Sequence, residues 1–258
     1  MEIIRSLANT SIPELYAAFD AAFSDYPRRW TAAEFEYDLK RRGYTPELSF
    51  GAFDDDKLVS FTLNATGIFN GIPTAYDTGT GTLKAYRGKG LASKIFEVAA
   101  PCLKEAGIQQ YLLEVLQVND AAISIYKKAG FTISRSLNYF IQDISELNIK
   151  PPNPATSITI REIDLQYKTA MQQMWDFIPS WQNSFDSIER ILHSFKILGA
   201  FENETLAGYG IIATSSGDIP QLAVAPAYRR QGIGTAILYA LQKLNRNTST
   251  KVINTDES

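Results

Sequence analysis

A chain of 258 residues, 45% hydrophobic and 21% charged, can bury one large core or two of ordinary size, and its composition is neither that of a disordered chain nor that of a membrane-embedded one. The net charge of −3 provides no basic field, which argues against nucleic acid or an anionic membrane surface as the main partner. Cys102 and His193 are the only residues of their kinds, which excludes an intrachain disulfide and a cysteine-based cluster and leaves little to build a zinc site or a histidine triad, so no metal is expected and acid–base chemistry falls to carboxylates and tyrosines.

The opening Met-Glu-Ile-Ile-Arg lacks an apolar signal core and no run approaches a membrane span, so the cytoplasm is the expected location. Ile3 and Ile4 suggest a first strand. Ser11-Ile-Pro-Glu14 has capping-box spacing, and Ile12, Leu15, Phe19 and Phe23 then line one helix face. A second helix around Thr31 to Arg42 passes through Gly43 into a hairpin over 50–63, and a further strand approaches residue 85. Leu91, Ile95, Val98, Ala99 and Leu103 recur at helical spacing, with Pro101 predicting a kink and Gly107 an end. Tyr111–Gln117 reads as a buried strand, Ala121–Lys128 as a short helix, and Phe131–Ile141 as the closing strand. This order predicts an α/β fold with a mixed, mostly antiparallel sheet flanked by helices.

The chain then repeats itself. Residues 50–63 align without a gap with 198–211, each an apolar strand, an acidic turn and a second alternating strand; residues 82–93 align with 224–235 in the same order. Two matches in series predict a duplicated domain. Leu147-Asn-Ile-Lys-Pro-Pro-Asn-Pro-Ala-Thr-Ser157 can neither pair in a sheet nor continue a helix and reads as the linker, giving a first domain over 1–146, a linker over 147–157 and a second domain over 158–258. The second ends before any counterpart of Asn119–Phe131 and reads as C-terminally incomplete.

In Arg87-Gly-Lys-Gly-Leu-Ala92 and in Arg229-Arg-Gln-Gly-Ile-Gly234 a strand runs into a glycine-bearing turn that opens an amphipathic helix. Free amides of a first helical turn, the helix dipole and flanking cations favour a phosphate there, although one such turn alone can equally be a basic loop capping a surface helix. Both turns resemble the Gln/Arg-x-x-Gly-x-Gly/Ala signature of GCN5-related N-acetyltransferases, with Arg87, Gly90, Ala92 and Arg229, Gly232, Gly234 at the matching positions. The resemblance implies two tandem domains of that fold. It implies acetyl-coenzyme A as cosubstrate, its diphosphate wrapped by Gly88, Lys89, Gly90, Leu91, Ala92 and Ser93 or by Arg230, Gln231, Gly232, Ile233, Gly234 and Thr235. The pantetheine arm would pair with the preceding strand near Thr82 and Leu83, or near Val224.

Leu113-Glu-Val115, Asn119, Tyr126 and Gly130-Phe131 resemble the family's second signature. By that resemblance Asn119 binds the cofactor arm, Tyr126 protonates the departing thiolate, and Glu114 is the general base, its strand position between Leu113 and Val115 partly desolvating it and raising its pKa. Tyr126 also reads as a packed aromatic and Glu114 as a structural carboxylate. Asp77 is a reserve base or a turn residue, and Tyr26 and Trp30 fall where the family builds its acceptor pocket or belong to the core. Cys102 and His193 are assigned no role. The implied activity is direct acetyl transfer in a ternary complex to a primary amine of a small molecule or peptide. The alternative is a scaffold that binds coenzyme A or dimerises, to which the second copy is suited, and a homodimer is compatible with either.

Overall fold

The computed structural model describes residues 2–26, 29–149 and 158–255, in two compact units divided between Thr132 and Ile133. The first unit contains β1 (Ile3–Ser6), α1 (Ile12–Ala22), α2 (Ala32–Arg42), β2 (Phe50–Asp54), β3 (Lys57–Phe69), β4 (Ile72–Thr82), α3 (Leu91–Glu105), β5 (Gln110–Leu112) and α4 (Asp120–Lys128). Its sheet runs β1-β2-β3-β4-β5, antiparallel except where β5 lies parallel to β4. The capping box at Ser11 and Glu14 forms as its spacing predicts, and Thr31 with Glu34 builds a second one on α2. Asp55 (φ 52°) turns the β2–β3 hairpin, and Asn70 (φ 52°) with Gly71 (φ 76°) turns β3 into β4, an Asn-Gly pair suited to two left-handed positions. Leu15, Phe35, Phe61, Leu63, Ile95 and Leu103 are buried together between helices and sheet.

The second unit contains β6 (Leu137–Asp143), β7 (Ile158–Glu162), α5 (Lys168–Gln172), α6 (Phe185–Glu189), β8 (Phe195–Glu202), β9 (Thr205–Ala213), β10 (Asp218–Val224), α7 (Ile233–Leu244) and β11 (Ser249–Thr255). Its sheet runs β6-β11-β10-β9-β8-β7. The duplication extends to irregularities: the first hairpin of each unit carries a bulge, between Ala52 and Phe53 and between Ala200 and Phe201, and Asn203 (φ 54°) stands where Asp55 stands. Leu198, Ala200, Ile212, Ile219, Ile237 and Leu241 form its core.

Two sequence expectations change. The strand expected to close the first sheet is instead β6, which pairs with β11 through seven residues, from Leu137↔Thr255 to Asp143↔Ser249, and Ile144 N–H continues to Thr248 O at 2.8 Å. Paired β5 is only three residues long, whereas β11 presents a seven-residue edge, so the longer ladder forms with β11. The boundary thus lies before residue 133 rather than after 146, and a strand from the first copy's stretch fills the outer edge of the second sheet. Residues 150–157 of the expected linker lie outside the described residues. Among the described residues no helix is long and apolar enough to cross a membrane.

Candidate active site

Each unit sets a glycine turn ahead of a helix whose first amides have no side-chain cap. Helices α1, α2 and α4 start on Ser11, Thr31 and Asn119, whose side chains accept from the first turn. Helix α3 starts on Gly90 (φ 73°), preceded by Gly88 (φ 78°), and α7 on Gly232 (φ 83°), preceded by Arg230 (φ 63°); neither has a side-chain cap. The first helical bonds run from Lys94 N–H to Gly90 O (3.1 Å) and from Ala236 N–H to Gly232 O (3.0 Å), so the amides of Leu91–Ser93 and of Ile233–Thr235 precede them. Leu91 and Ile233 bury their side chains in the two cores and offer the turn only backbone. Such a fan of amides at the positive end of a helix dipole fits a diphosphate.

The signature arginines do something else. Arg87 donates Nη1 and Nη2 to Asp25 (2.6 and 3.0 Å), Nη2 to Ala22 O (2.7 Å) and Nε to Thr82 O (3.2 Å). Arg229 repeats this with Nε to Val224 O (2.9 Å), Nη2 to Met174 O (3.5 Å) and an ion pair to Asp176 (2.9 Å). Both guanidinium groups therefore tie the turn to the end of the preceding strand and to the segment after the unit's first helix, instead of reaching outward for phosphate. The Arg87 guanidinium holds the Asp25 carboxyl down at about 2. Lys89 lies over the Tyr86 ring (4.5 Å) and 3.5 Å from Glu2. Thr82 and Leu83 are also engaged, since Thr82 O accepts from Arg87 and Leu83 N–H donates to Val59 O (2.9 Å).

Beside the turn the sheet splits. Strands β4 and β5 pair only at Thr74, Ala75 and Tyr76 with Gln110, Tyr111 and Leu112. A bulge then places Thr78 as an extra residue between Asp77↔Asn64 and Gly79↔Leu63, turning β4 away. This shortens the strand expected over Tyr111–Gln117, and Glu114 emerges beyond the ladder as an exposed residue, hydrogen-bonded to the Tyr76 hydroxyl. The burial expected at Glu114 falls on Asp77, which is 8% exposed. Asp77 accepts from Gly79 N–H (2.8 Å), Thr80 Oγ1 (2.7 Å) and the Tyr126 hydroxyl (3.2 Å), and burial nevertheless raises its pKa. Burial and the Asp77 charge likewise raise Tyr126, which keeps it a proton donor. Tyr126 is held edge-on against Phe131 (5.6 Å), which also packs on Tyr111 and Phe96. Asn119 is the N-cap of α4, accepting from Ala122 N–H (3.2 Å), and so orients the helix that presents Tyr126.

On the other side of the bulge a cleft of about 220 Å³ is lined by Phe19, Phe23, Tyr26 and Trp30, with Arg42 and Gly79 among its other walls. Tyr26 and Trp30 thus both line an open cleft. Arg42 donates to Thr78 O (2.8 Å), pairs with Asp38 (3.3 Å) and faces the charges of Glu114 and Asp77. Among the described residues no group of three or more His, Cys, Asp and Glu side chains is placed to hold a metal ion.

The model of the acetyltransferase (GNAT) family matches residues 15–131 and again 159–256. The chain belongs to the GNAT family. Among curated proteins it is 32% identical over 87 residues to N-alpha-acetyltransferase 30 of Schizosaccharomyces pombe, a match spanning 33% of this chain and 58% of that protein. It is 24% identical over 180 residues to N-alpha-acetyltransferase MAK3 of Arabidopsis thaliana, spanning 69% of this chain and 84% of that one. Its fold over the full chain is that of a tandem GNAT protein from the clavulanic acid biosynthesis pathway, with a TM-score of 0.72 at 13% identity over 91% of that chain. It is also that of a GCN5-related glucosamine N-acetyltransferase region in a fungal multi-domain GH3 β-N-acetylglucosaminidase, with a TM-score of 0.75 at 17% identity over 36% of that chain.

The second GNAT domain keeps the turn and changes the side chains beside the bulge. Because β9 and β10 pair as β3 and β4 do, Gly208↔Val224 corresponding to Ser60↔Thr82, the positions of Asp77 and Gly79 are taken by Ile219 and Gln221. Counting from the paired residues Leu112 and Lys251, the position of Glu114 is Ile253. Trp175 Nε1 donates to the Tyr209 hydroxyl (2.6 Å), which donates to Gln221 Oε1 (2.7 Å), while Gln221 Nε2 donates to Asn183 O (2.7 Å). Sequence reasoning missed Asp25, Asp176 and Arg42. The first two carry a signal in the duplication itself, an Asp-aromatic pair shortly before a proline after each first helix, Asp25-Tyr-Pro27 and Asp176-Phe-Ile-Pro179.

Proposed function

We propose that the first domain is an N-acetyltransferase that moves an acetyl group from acetyl-coenzyme A to a primary amine of a small molecule or peptide, by direct transfer in a ternary complex. The observation that carries this reading is the hydrogen bond from Tyr126 to Asp77 at the split between β4 and β5, directly upstream of an uncapped, glycine-led helix. Bound acetyl-coenzyme A would supply the activated acyl carbon. The amides from Gly88 to Ser93 would hold its diphosphate, and the open edge of β4 past Tyr76 would align its arm. Three carboxylates, Asp38, Asp77 and Glu114, surround the one Arg42 cation and favour an ammonium at the bulge. Asp77 takes the amine proton, with Glu114, nearer solvent, as the second acceptor. As the C–N bond forms and the C–S bond breaks, Tyr126 gives its hydroxyl proton to sulfur and recovers one from Asp77, which returns both groups to their starting state.

A second reading concerns the other domain, where Ile219 replaces the buried carboxylate: there the α7 turn binds coenzyme A without chemistry. Thiol release from acetyl-coenzyme A against a panel of amines tests the first reading. Tyr126→Phe should lower turnover about 100-fold while cofactor affinity stays within about threefold; equal turnover in that variant removes Tyr126 from the mechanism. Calorimetry with acetyl-coenzyme A should give two sites per chain, and one site would leave the second turn empty.

A further inference from the structure

We propose that the acceptor is a primary amine carrying an aromatic or branched aliphatic group, and that Gly79 is the residue that admits it; this rests on the transfer reading above. The cleft beside the β4 bulge is walled by four aromatic rings, with Phe19 packed on Phe23 (4.6 Å) and Trp30 (5.6 Å) and Phe23 edge-on to Tyr26 (5.1 Å). These rings face open space of about 220 Å³, the scale of one side-chain-sized group and its neighbouring bonds. Such a wall rewards apolar area, and the polar side chains beside it are already bonded, Arg29 to Asp20, Arg42 to Thr78 O and Thr78 Oγ1 to Leu63 O, which disfavours sugar amines.

Charge then sets orientation. Arg42 lies 5.7 Å from the centre of the Trp30 ring, and Arg29 is paired with Asp20 at the rim. Asp20, the carboxylate that lines the cleft, is already paired with Arg29, so a second cation deep in the cleft finds no unpaired carboxylate there, which disfavours polyamines and lysine side chains. The amine end belongs at the bulge, where Asp77 is buried and Arg42 is outnumbered by carboxylates. The cleft reaches the bulge because position 79 has no side chain. A Cβ there would meet only Phe19 Cε2, at 3.7 Å, so a larger residue fits and projects into the space. The second domain makes that substitution naturally: Gln221 occupies the position, is 5% exposed and is bonded to Tyr209 and Asn183.

The test measures kcat/KM by thiol release for phenylalaninamide, leucinamide, glycinamide, lysinamide, putrescine and glucosamine. Phenylalaninamide and leucinamide should exceed the others by about tenfold or more, the scale on which a hydrophobic pocket discriminates. Gly79→Val, checked for folding by its melting temperature, should lower the phenylalaninamide-over-glycinamide preference about tenfold, through KM rather than kcat. Equal or better turnover of glycinamide, lysinamide, putrescine or glucosamine, or an undiminished preference in Gly79→Val, overturns the proposal while leaving acetyl transfer standing. If no amine is turned over, calorimetry decides. Phenylalaninamide binding that is lost in Gly79→Val keeps the cleft assignment and sinks the transfer reading, and no binding to either protein sinks both.

Discussion

In the first domain Gly79 lines a cleft, and two positions before it the buried Asp77 accepts from Tyr126 of α4. At the matching place the second domain carries Gln221, Ile219 and a chain of three hydrogen bonds through Trp175, Tyr209 and Asn183. Both domains nevertheless keep the same strand bulge, the same left-handed turn and the same inward-facing arginine. The retained features are backbone geometry, and the ones that differ are the side chains to which the proposed reading gives the proton transfers. If the first domain transfers acetyl groups as proposed, duplication has separated binding geometry from chemistry within one chain.

The largest expected effect lies on the side chain that differs most. Asp77→Asn should reduce turnover about 100-fold or more, the range of a lost general base, whereas Ile219→Asp restores the carboxylate alone and should add no activity. Since burial raises the Asp77 pKa, the acid limb of the pH–rate profile should lie above about pH 4 and vanish in Asp77→Asn. The sign on stability is the reverse of the usual carboxylate case. The folded state holds the Asp77 proton more tightly than the unfolded state, so this group's contribution falls as pH rises from about 4 through the raised value, and the variant should flatten that slope in denaturant titrations.

A smaller effect separates the two interiors. Tyr209→Phe would leave Trp175 Nε1 and Gln221 Oε1 without their partner in a buried site and should cost about 1–3 kcal/mol. Thermal unfolding should show this loss while thiol release by the first domain is retained. A loss of acetyl transfer in the same variant would instead mean that the second interior contributes to the reaction.

Much of this was legible in sequence because it is local. The capping pair Ser11 and Glu14, the acidic hairpin turns and the glycines at 90 and 232 each act within a few residues, and each forms where its spacing predicts. What sequence concealed is non-local. Nothing in Leu137–Asp143 says whether it will pair with β5 or with β11, since that depends on the edge lengths of two distant strands. Glu114 reads as strand-buried until the bulge at Thr78 carries β4 away from it, which passes the burial to Asp77. Asn119 reads as a cofactor ligand by resemblance, although an asparagine ahead of a helix is also a plain capping signal, and its oxygen is used as a cap.

The smallest effect concerns the feature the two domains share. Asp25 lies between Phe23 and Tyr26 of the aromatic cleft and holds Arg87 of the glycine turn, so it joins the two regions to which the proposed function assigns amine and cofactor. The pair is largely exposed and screened by solvent, so its removal should perturb positioning more than folding. Asp25→Asn is expected to raise the KM for acetyl-coenzyme A and for the amine together by about two- to fivefold, with Asp25→Glu recovering part of the loss. Asp176→Asn removes the matching pair from the second domain, and should weaken only the calorimetric site assigned to the α7 turn. If Asp25→Asn raises one KM and spares the other, the clamp supports a single binding region and does not link the two.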